Sequence, residues 1–126
     1  MLDAFVLVVD DNPETLNLLA RALESDGIQV RTATSVLRAI EALHDGSPRP
    51  ALIITDLVMP QTTGWDFLKY LRGETDLRSL PVIAITGAEP GEGEALADLV
   101  LQKPVDPVQL GDTVRTLLKT RTPATG

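Results

Sequence analysis

One stretch of the chain, residues 51–56, constrains the fold more than any other. Its sequence is Ala-Leu-Ile-Ile-Thr-Asp, an apolar run that leads straight into an acid, and Pro60 and Gly64 follow in a predicted turn. A continuous apolar run of this length is typical of a parallel strand that is buried on both faces. Ligands of open α/β sheets bind at the carboxyl ends of the strands, so we expect Asp56 at the functional edge. For this strand taken alone, an acid that simply caps the turn is the better explanation.

Four other segments have the pattern of strands. Residues 5–9 are apolar throughout and precede Asp10-Asp11, whereas residues 28–32 alternate apolar and polar side chains, as an edge strand does. The last two strands are predicted at residues 81–86 and 98–103. Strands that alternate with helical segments predict an α/β domain with a five-stranded parallel sheet.

Right-handed crossovers leave two common strand orders for such a sheet, 3-2-1-4-5 and 2-1-3-4-5. The polar second strand suits an edge, and the order 2-1-3-4-5 places the acids that end the first and third strands side by side. We therefore predict a flavodoxin-like, doubly wound fold with helices on both faces. Residues 87–94 contain three Gly and one Pro, which predicts a short or irregular fourth helix, and residues 107–119 predict the last helix.

Length and composition exclude several classes of protein. The 126 residues suit one domain, predicted at 1–120, with a tail or linker start at 121–126. The chain has no cysteine, which excludes disulfides and thiolate metal sites, and its formal net charge of -7 disfavours direct contact with nucleic acid or anionic membranes. No apolar stretch approaches the roughly 18 residues of a membrane span. We expect a cytoplasmic protein.

Polar residues end four of the five predicted strands. Asp10 and Asp11 follow the first, Asp56 ends the third, and Thr86 and Lys103 end the fourth and fifth. Converging carboxylates repel one another, and a hard divalent cation such as Mg²⁺ relieves that repulsion through oxygen ligands. Lys103 can neutralise a phosphoryl oxygen, and a carboxylate can itself accept a phosphoryl group. The set therefore predicts phosphoryl transfer, in which positioning and charge neutralisation do most of the catalysis.

Each of these residues also has a purely structural explanation. The acids at 10 and 11 can bond to N–H groups at a helix start, Thr86 can form a turn, and Lys103 can pair with an acid. Four such coincidences, at neighbouring strand ends, are much less expected than a shared function.

The chain resembles a response-regulator receiver domain of two-component signalling over residues 5–119. The resemblance rests on the segments 8–12 (VVDDN), 56–60 (DLVMP), 85–87 (ITG) and 103–104 (KP), with Gly64. It implies a signalling module that catalyses its own phosphorylation and dephosphorylation. The phosphoryl group would come from a phosphohistidine on a sensor histidine kinase or a histidine phosphotransfer protein, and the domain would then switch conformation for a downstream partner.

The same resemblance implies roles for individual residues. Asp56 is the expected phosphoacceptor, and Thr86 and Lys103 are expected to bond the phosphoryl group once it is present. Asp11 is the expected direct Mg²⁺ ligand, while Asp10 acts partly through water.

The remaining Mg²⁺ ligands implied by the resemblance are Asp56 and the backbone carbonyl of Val58. A Mg²⁺-dependent phosphohydrolase with an aspartyl-phosphate intermediate is an alternative. Enzymes of the haloacid-dehalogenase type place a second Asp two residues after the nucleophile as general acid, and this chain has Val58 there, which cannot transfer a proton. A scaffold that keeps the fold without phosphorylation is a further alternative.

Val100 departs from the family pattern, since an aromatic residue is common there as a rotamer switch.

Overall fold

The computed structural model describes residues 5–45, 48–57, 64–87 and 96–121 of the chain. The strands within this part are β1 (Phe5–Val9), β2 (Gln29–Ala33), β3 (Leu52–Asp56), β4 (Val82–Thr86) and β5 (Leu99–Gln102). The helices are α1 (Pro13–Ser25), α2 (Val36–Leu43), α3 (Gly64–Gly73) and α4 (Pro107–Arg121). The short or irregular helix predicted after β4 falls mainly on residues 88–94, which lie outside the described residues.

The five strands form one parallel sheet in the order β2-β1-β3-β4-β5. The predicted order is thereby confirmed. Every residue of β1, β3 and β4 is buried, which explains why these segments are apolar throughout rather than alternating. The polar strand β2 lies at one edge, as its pattern predicted.

Helices cover both faces of the sheet. The side chains of β1 alternate between two buried clusters, with Val6 and Val8 on one face and Leu7 and Val9 on the other. The Val6 face packs against α1 and α4, through Leu16, Leu19, Leu23, Leu110 and Val114. The Leu7 face packs against α2 and α3, through Val36, Leu43, Phe67 and Leu71. The prediction that helices cover both faces of the sheet is confirmed.

Element ends differ slightly from the sequence prediction. The strand β4 begins at Val82, β5 spans a shorter segment than 98–103, and α4 continues to Arg121 rather than ending at 119. A division at residue 120 between domain and tail stays a prediction. Within the described residues, no helix combines the length and apolar character needed to cross a bilayer.

The amino ends of β4 and β5 are tied together by Arg72, in the last turn of α3. Its guanidinium donates to the carbonyls of Leu96, Arg78 and Leu80 at 2.8, 2.9 and 2.8 Å. It also pairs with the Asp98 carboxylate at 3.2 Å, and Asp98 in turn accepts from the Val82 N–H at 2.8 Å. One side chain therefore holds together the amino ends of β4 and β5, at the end of the sheet opposite Asp56.

The strand β2 presents polar side chains at the open edge beside β1. Gln29, Arg31 and Thr32 are exposed, and only Ala33 in this strand is buried. The guanidinium of Arg31 lies over the ring of Phe5, 4.5 Å from its centroid. This arrangement covers an apolar ring with a cation that still reaches solvent.

Candidate functional site

Three acids meet where β1 and β3 end. The strands are neighbours, with Val9 opposite Thr55, so the residues that follow in each strand come side by side. Carboxylate oxygens of Asp10, Asp11 and Asp56 lie within 4.8 Å of one another. Asp10 and Asp56 are both buried, at 4% exposure, whereas Asp11 is exposed.

The turn after β1 holds Asp10 in place. Its N–H donates to the Ala33 carbonyl of β2 at 3.1 Å, and its Oδ1 accepts from the Asn12 N–H at 2.9 Å. The Asn12 side chain caps α1 by accepting from the N–H groups of Glu14 and Thr15, and Pro13 at the first helical position suits such a start. Local bonds thus fix the first acid before any ligand binds.

Lys103 brings positive charge to the acids. Its Nζ lies 3.1 Å from Asp56 Oδ2, and its backbone N–H donates to the Thr86 carbonyl at 2.9 Å. The lysine side chain is 43% exposed while that of Asp56 is 4% exposed, so the pair joins a buried carboxylate to a cation that solvent reaches. One lysine beside three acids leaves the cluster with excess negative charge.

This excess charge affects Asp10. Burial raises the pKa of its carboxyl, and the charges of Asp56 and Asp11 raise it further. The Asn12 N–H and the Lys103 ammonium act in the opposite direction without cancelling the rise. The cluster is therefore an environment in which an added cation would be favoured.

The donor set has the chemistry of a hard-cation site. All three side chains offer carboxylate oxygens, the ligands that Mg²⁺ and Ca²⁺ prefer, and one of them faces solvent, from which water can complete the coordination. The acidic residues named from the sequence are thus brought together. Val58, the fourth predicted ligand, lies outside the described residues.

Thr86 lies close to this cluster without lining its cavity. It ends β4 and is 2% exposed, and the neighbouring Ile85 is the register partner of Asp56. An open cavity of about 440 Å³ lies above the acids. Its described lining consists of Asp10, Asp11, Asn12, Thr15, Asp56, Gly87 and Lys103.

Sequence reasoning missed three of these lining residues as members of the site, Asn12, Thr15 and Gly87. Thr15 is the third residue of α1 and lies in the first turn of that helix. The first turn after a site strand was the signal that could have identified it, because such residues border the carboxyl edge of the sheet.

A sequence profile of the response regulator receiver domain matches residues 6–115. The chain belongs to this family. Receiver domains are signalling modules rather than classical enzymes, and they interact with histidine kinases or phosphotransfer proteins. Phosphorylation at an aspartate and an acidic pocket that binds Mg²⁺ are characteristic of the family.

Individual relatives agree with the receiver assignment. Response regulator Rre1 of Synechocystis is 36% identical over 120 residues, which cover 90% of this chain and 51% of Rre1. The polar-differentiation response regulator DivK of Brucella anthropi is 27% identical over 118 residues, which cover 90% of this chain and 94% of DivK. The chain thus spans about half the length of the first relative and nearly all of the second.

Solved receiver structures share the fold over almost the whole chain. The signal receiver domain of a signal transduction histidine kinase from Syntrophus aciditrophicus has a TM-score of 0.83 and 31% identity, over 96% of both chains.

In the present receiver, Val100 pairs with Ala84 and packs, half-buried, against the cluster beneath α2 and α3. A valine there has no ring to rotate, so an aromatic switch at this position is excluded.

Proposed function

We propose that this receiver accepts a phosphoryl group on Asp56 from a phosphohistidine of a sensor histidine kinase or a histidine phosphotransfer protein. The reaction depends on Mg²⁺, and the phosphorylated form adopts a conformation that a downstream partner binds. One observation carries the proposal: oxygens of three carboxylates lie within 4.8 Å of one another where the strands end, and the Lys103 ammonium contacts that of Asp56.

The chain's own residues would divide the work of the transfer. Asp56 lies at the end of a buried strand, which holds its carboxylate as the attacking group. Asp10 and Asp11, with the carbonyl of Val58, would hold the ion. When bound, Mg²⁺ would neutralise negative charge on the phosphoryl oxygens and help to orient the group for attack by Asp56.

Lys103 and Thr86 would act mainly after transfer. The Lys103 ammonium already lies at Asp56 and can follow a phosphoryl oxygen as a point charge. The Thr86 hydroxyl would bond the phosphoryl group and shift the chain toward the phosphorylated conformer, because a ligand moves an equilibrium only through differential contacts.

Mapping the phosphoryl adduct tests the proposed acceptor. The receiver is incubated with acetyl phosphate and Mg²⁺, and the modified residue is identified by mass spectrometry. We expect one adduct, on Asp56, and its complete loss in Asp56→Asn. The exposed Asp66 on α3 offers a matched control, because Asp66→Asn removes an acid away from the site and should retain the adduct. An adduct on another residue would refute the assignment.

Metal dependence is tested separately. Excess chelator should abolish phosphorylation, and Asp11→Asn should weaken Mg²⁺ binding more than Asp10→Asn if Asp11 is the direct ligand. Phosphorylation that continues at the same rate in chelator would contradict the role assigned to the ion.

A further inference from the structure

A second cavity opens directly beside the acidic one, between α1 and the segment after β5. Its volume is about 480 Å³. The two cavities share Asp10, Thr15, Gly87 and Lys103 in their linings. Because Lys103 Nζ lies 3.1 Å from Asp56, the second cavity begins within reach of a group attached to that carboxylate.

The far wall of this cavity is apolar. It is formed by Leu18, Leu19, Ile85, Pro104 and Val105. Among the described lining residues, the charged groups are Asp10 and Lys103, and both belong to the shared end. The cavity therefore has a charged mouth next to Asp56 and an apolar interior beyond it.

Leu18 is the exposed part of the apolar wall. Its relative exposure is 59%, whereas Leu19 and Ile85 in the same wall are 5% and 4% exposed and belong to the core. The fold gains little from an apolar side chain at position 18. A molecule seated in the cavity would remove Leu18 from water, which is favourable in proportion to the apolar area covered.

We propose that this cavity is a subsite for the leaving group of small acyl phosphates, and that it favours acyl chains of three or four carbons over acetyl. The inference rests on the proposed function of Asp56. A carboxylate oxygen of Asp56 bonds to phosphorus while the bond between phosphorus and the acyl oxygen breaks. The leaving carboxylate takes the electron pair, so no proton or further reactant is needed.

Charge complementarity selects this occupant. With Mg²⁺ offsetting the acids, the anionic phosphoryl end of an acyl phosphate would meet the Lys103 ammonium at the shared end, and an alkyl chain would meet the apolar side chains beyond it. A leaving group that carries charge on its distal end would lose water without gaining a partner among the described lining residues. Binding energy from this remote part of the donor raises kcat/KM for phosphorylation.

The size of the effect follows from apolar transfer. Burying one methylene contributes up to about a fourfold change in an equilibrium or rate ratio. We expect kcat/KM to rise about two- to fourfold per methylene from acetyl to propionyl to butyryl phosphate. The three acids have nearly equal acidity, so the intrinsic reactivity of the donors is matched.

Phosphorylation of the full chain by these three donors, with saturating Mg²⁺, tests the proposal. The Asp56 adduct is quantified over time by mass spectrometry for wild type, Leu18→Ser and Leu18→Met. Leu18→Ser should flatten the dependence on chain length, while Leu18→Met retains apolar area and should preserve it. Leu37→Ser is the matched control, since Leu37 is also an exposed leucine, at 67%, and lines neither cavity. It should leave the dependence unchanged.

Equal kcat/KM values for the three donors in wild type would overturn the inference while leaving the function of Asp56 intact, and would favour an apolar side chain of a protein donor as the occupant. An increase of kcat/KM with chain length that persists in Leu18→Ser would equally overturn the inference.

Binding of alkylphosphonates with Mg²⁺ gives a reading that needs no reaction. Butylphosphonate should bind more tightly than methylphosphonate and should shift the methyl resonances of Leu18 and Val105. Equal affinities of the two phosphonates would refute the subsite, whatever the phosphorylation experiment shows. If no donor phosphorylated Asp56, the proposed function would fail, and that result is read independently of phosphonate binding.

Discussion

Two ion pairs of nearly equal length stand at opposite edges of the same sheet. Arg72 pairs with Asp98 at 3.2 Å at the amino ends of β4 and β5, and Lys103 pairs with Asp56 at 3.1 Å at the carboxyl ends of the strands. The first pair is only 21% and 25% exposed, and Arg72 also bonds three backbone carbonyls. The second joins a buried acid to a lysine that borders two open cavities.

The difference shows how one interaction type can serve two purposes. A planar guanidinium with several donors matches acceptors that never move, so it suits the edge that connects secondary structure. An ammonium is a point charge on a flexible stem, so it can keep contact with an oxygen whose position would change in the proposed transfer. The arginine therefore suits a fixed structural role at the amino ends of the strands, and the lysine suits the proposed phosphorylation at their carboxyl ends.

The largest effect is expected at Arg72. Arg72→Met removes the ion pair and leaves the carbonyls of Leu96, Arg78 and Leu80 without this donor, so the free energy of unfolding should fall by about 3 kcal/mol. Urea unfolding measures the change. Arg49→Met is the control: Arg49 pairs with Asp76 at 3.3 Å, but the two are 39% and 75% exposed, so its loss should cost less than about 0.5 kcal/mol. Equal losses in the two variants would show that the buried contacts of Arg72 stabilise the fold no more than an exposed ion pair does.

Exchanging the cation type sharpens the same comparison. Lys103→Arg should change the unfolding free energy by less than about 0.5 kcal/mol, because a cation remains beside Asp56. It should slow phosphorylation by acetyl phosphate by only about threefold, because a broad planar group fits the place of an ammonium poorly while acceptance also relies on Mg²⁺. Parallel measurements on Arg72→Lys should give the opposite result, a loss of stability with little change in rate.

A smaller effect concerns Asp10 and pH. Burial, Asp56 and Asp11 raise the pKa of this carboxyl above its ordinary value of 3.8 in the folded chain. The folded chain then binds the proton more tightly than the unfolded chain, so stability falls as pH rises from 3.8 through the raised pKa.

Asp10→Asn should therefore unfold at a higher urea concentration than wild type at pH 7 in chelator, and the difference should shrink toward pH 4. Addition of Mg²⁺ should stabilise wild type more than the variant. A variant that is less stable than wild type at pH 7 without metal would show that the acids do not strain the apo site.

The smallest effect is expected at Gly111 in α4, which lies against Asp26 at the end of α1. A Cβ at position 111 would lie 2.0 Å from Asp26 Oδ2, and Asp26 pairs with Arg115 at 2.9 Å. Gly111→Ala should gain helix propensity and lose this half-exposed pair, so the net change should stay below about 0.5 kcal/mol. In an Asp26→Ala background the same substitution should stabilise by about 0.5–1 kcal/mol. Thermal unfolding of wild type, Gly111→Ala, Asp26→Ala and the double variant measures these changes. Equal effects of Gly111→Ala in the two backgrounds would show that Asp26 does not oppose the substitution.

Sequence reasoning reached the sheet and the acids because both depend on local signals. Buried strands require unbroken apolar runs, and parallel strands bring their carboxyl ends to one edge, which places Asp10, Asp56 and Lys103 together. The Arg72 network could not be predicted, because most of its acceptors are backbone carbonyls and one of them, on Leu96, lies 24 residues away. No sequence pattern marks which carbonyl a distant guanidinium will contact. The second cavity escaped prediction for a similar reason, since its walls come from segments far apart in the chain.

The polar edge strand β2 has a consequence for the behaviour of the protein at high concentration. An open sheet exposes unpaired backbone donors and acceptors at its outer strands, and a second chain can add to them and begin a fibril. Arg31, held over Phe5, places a charge along that edge, and Gln29 and Thr32 keep its outward side hydrated. The opposite outer strand, β5, has only 4 residues, too few for a long intermolecular ladder. Both outer strands of the folded sheet therefore disfavour edge-to-edge pairing with a second chain.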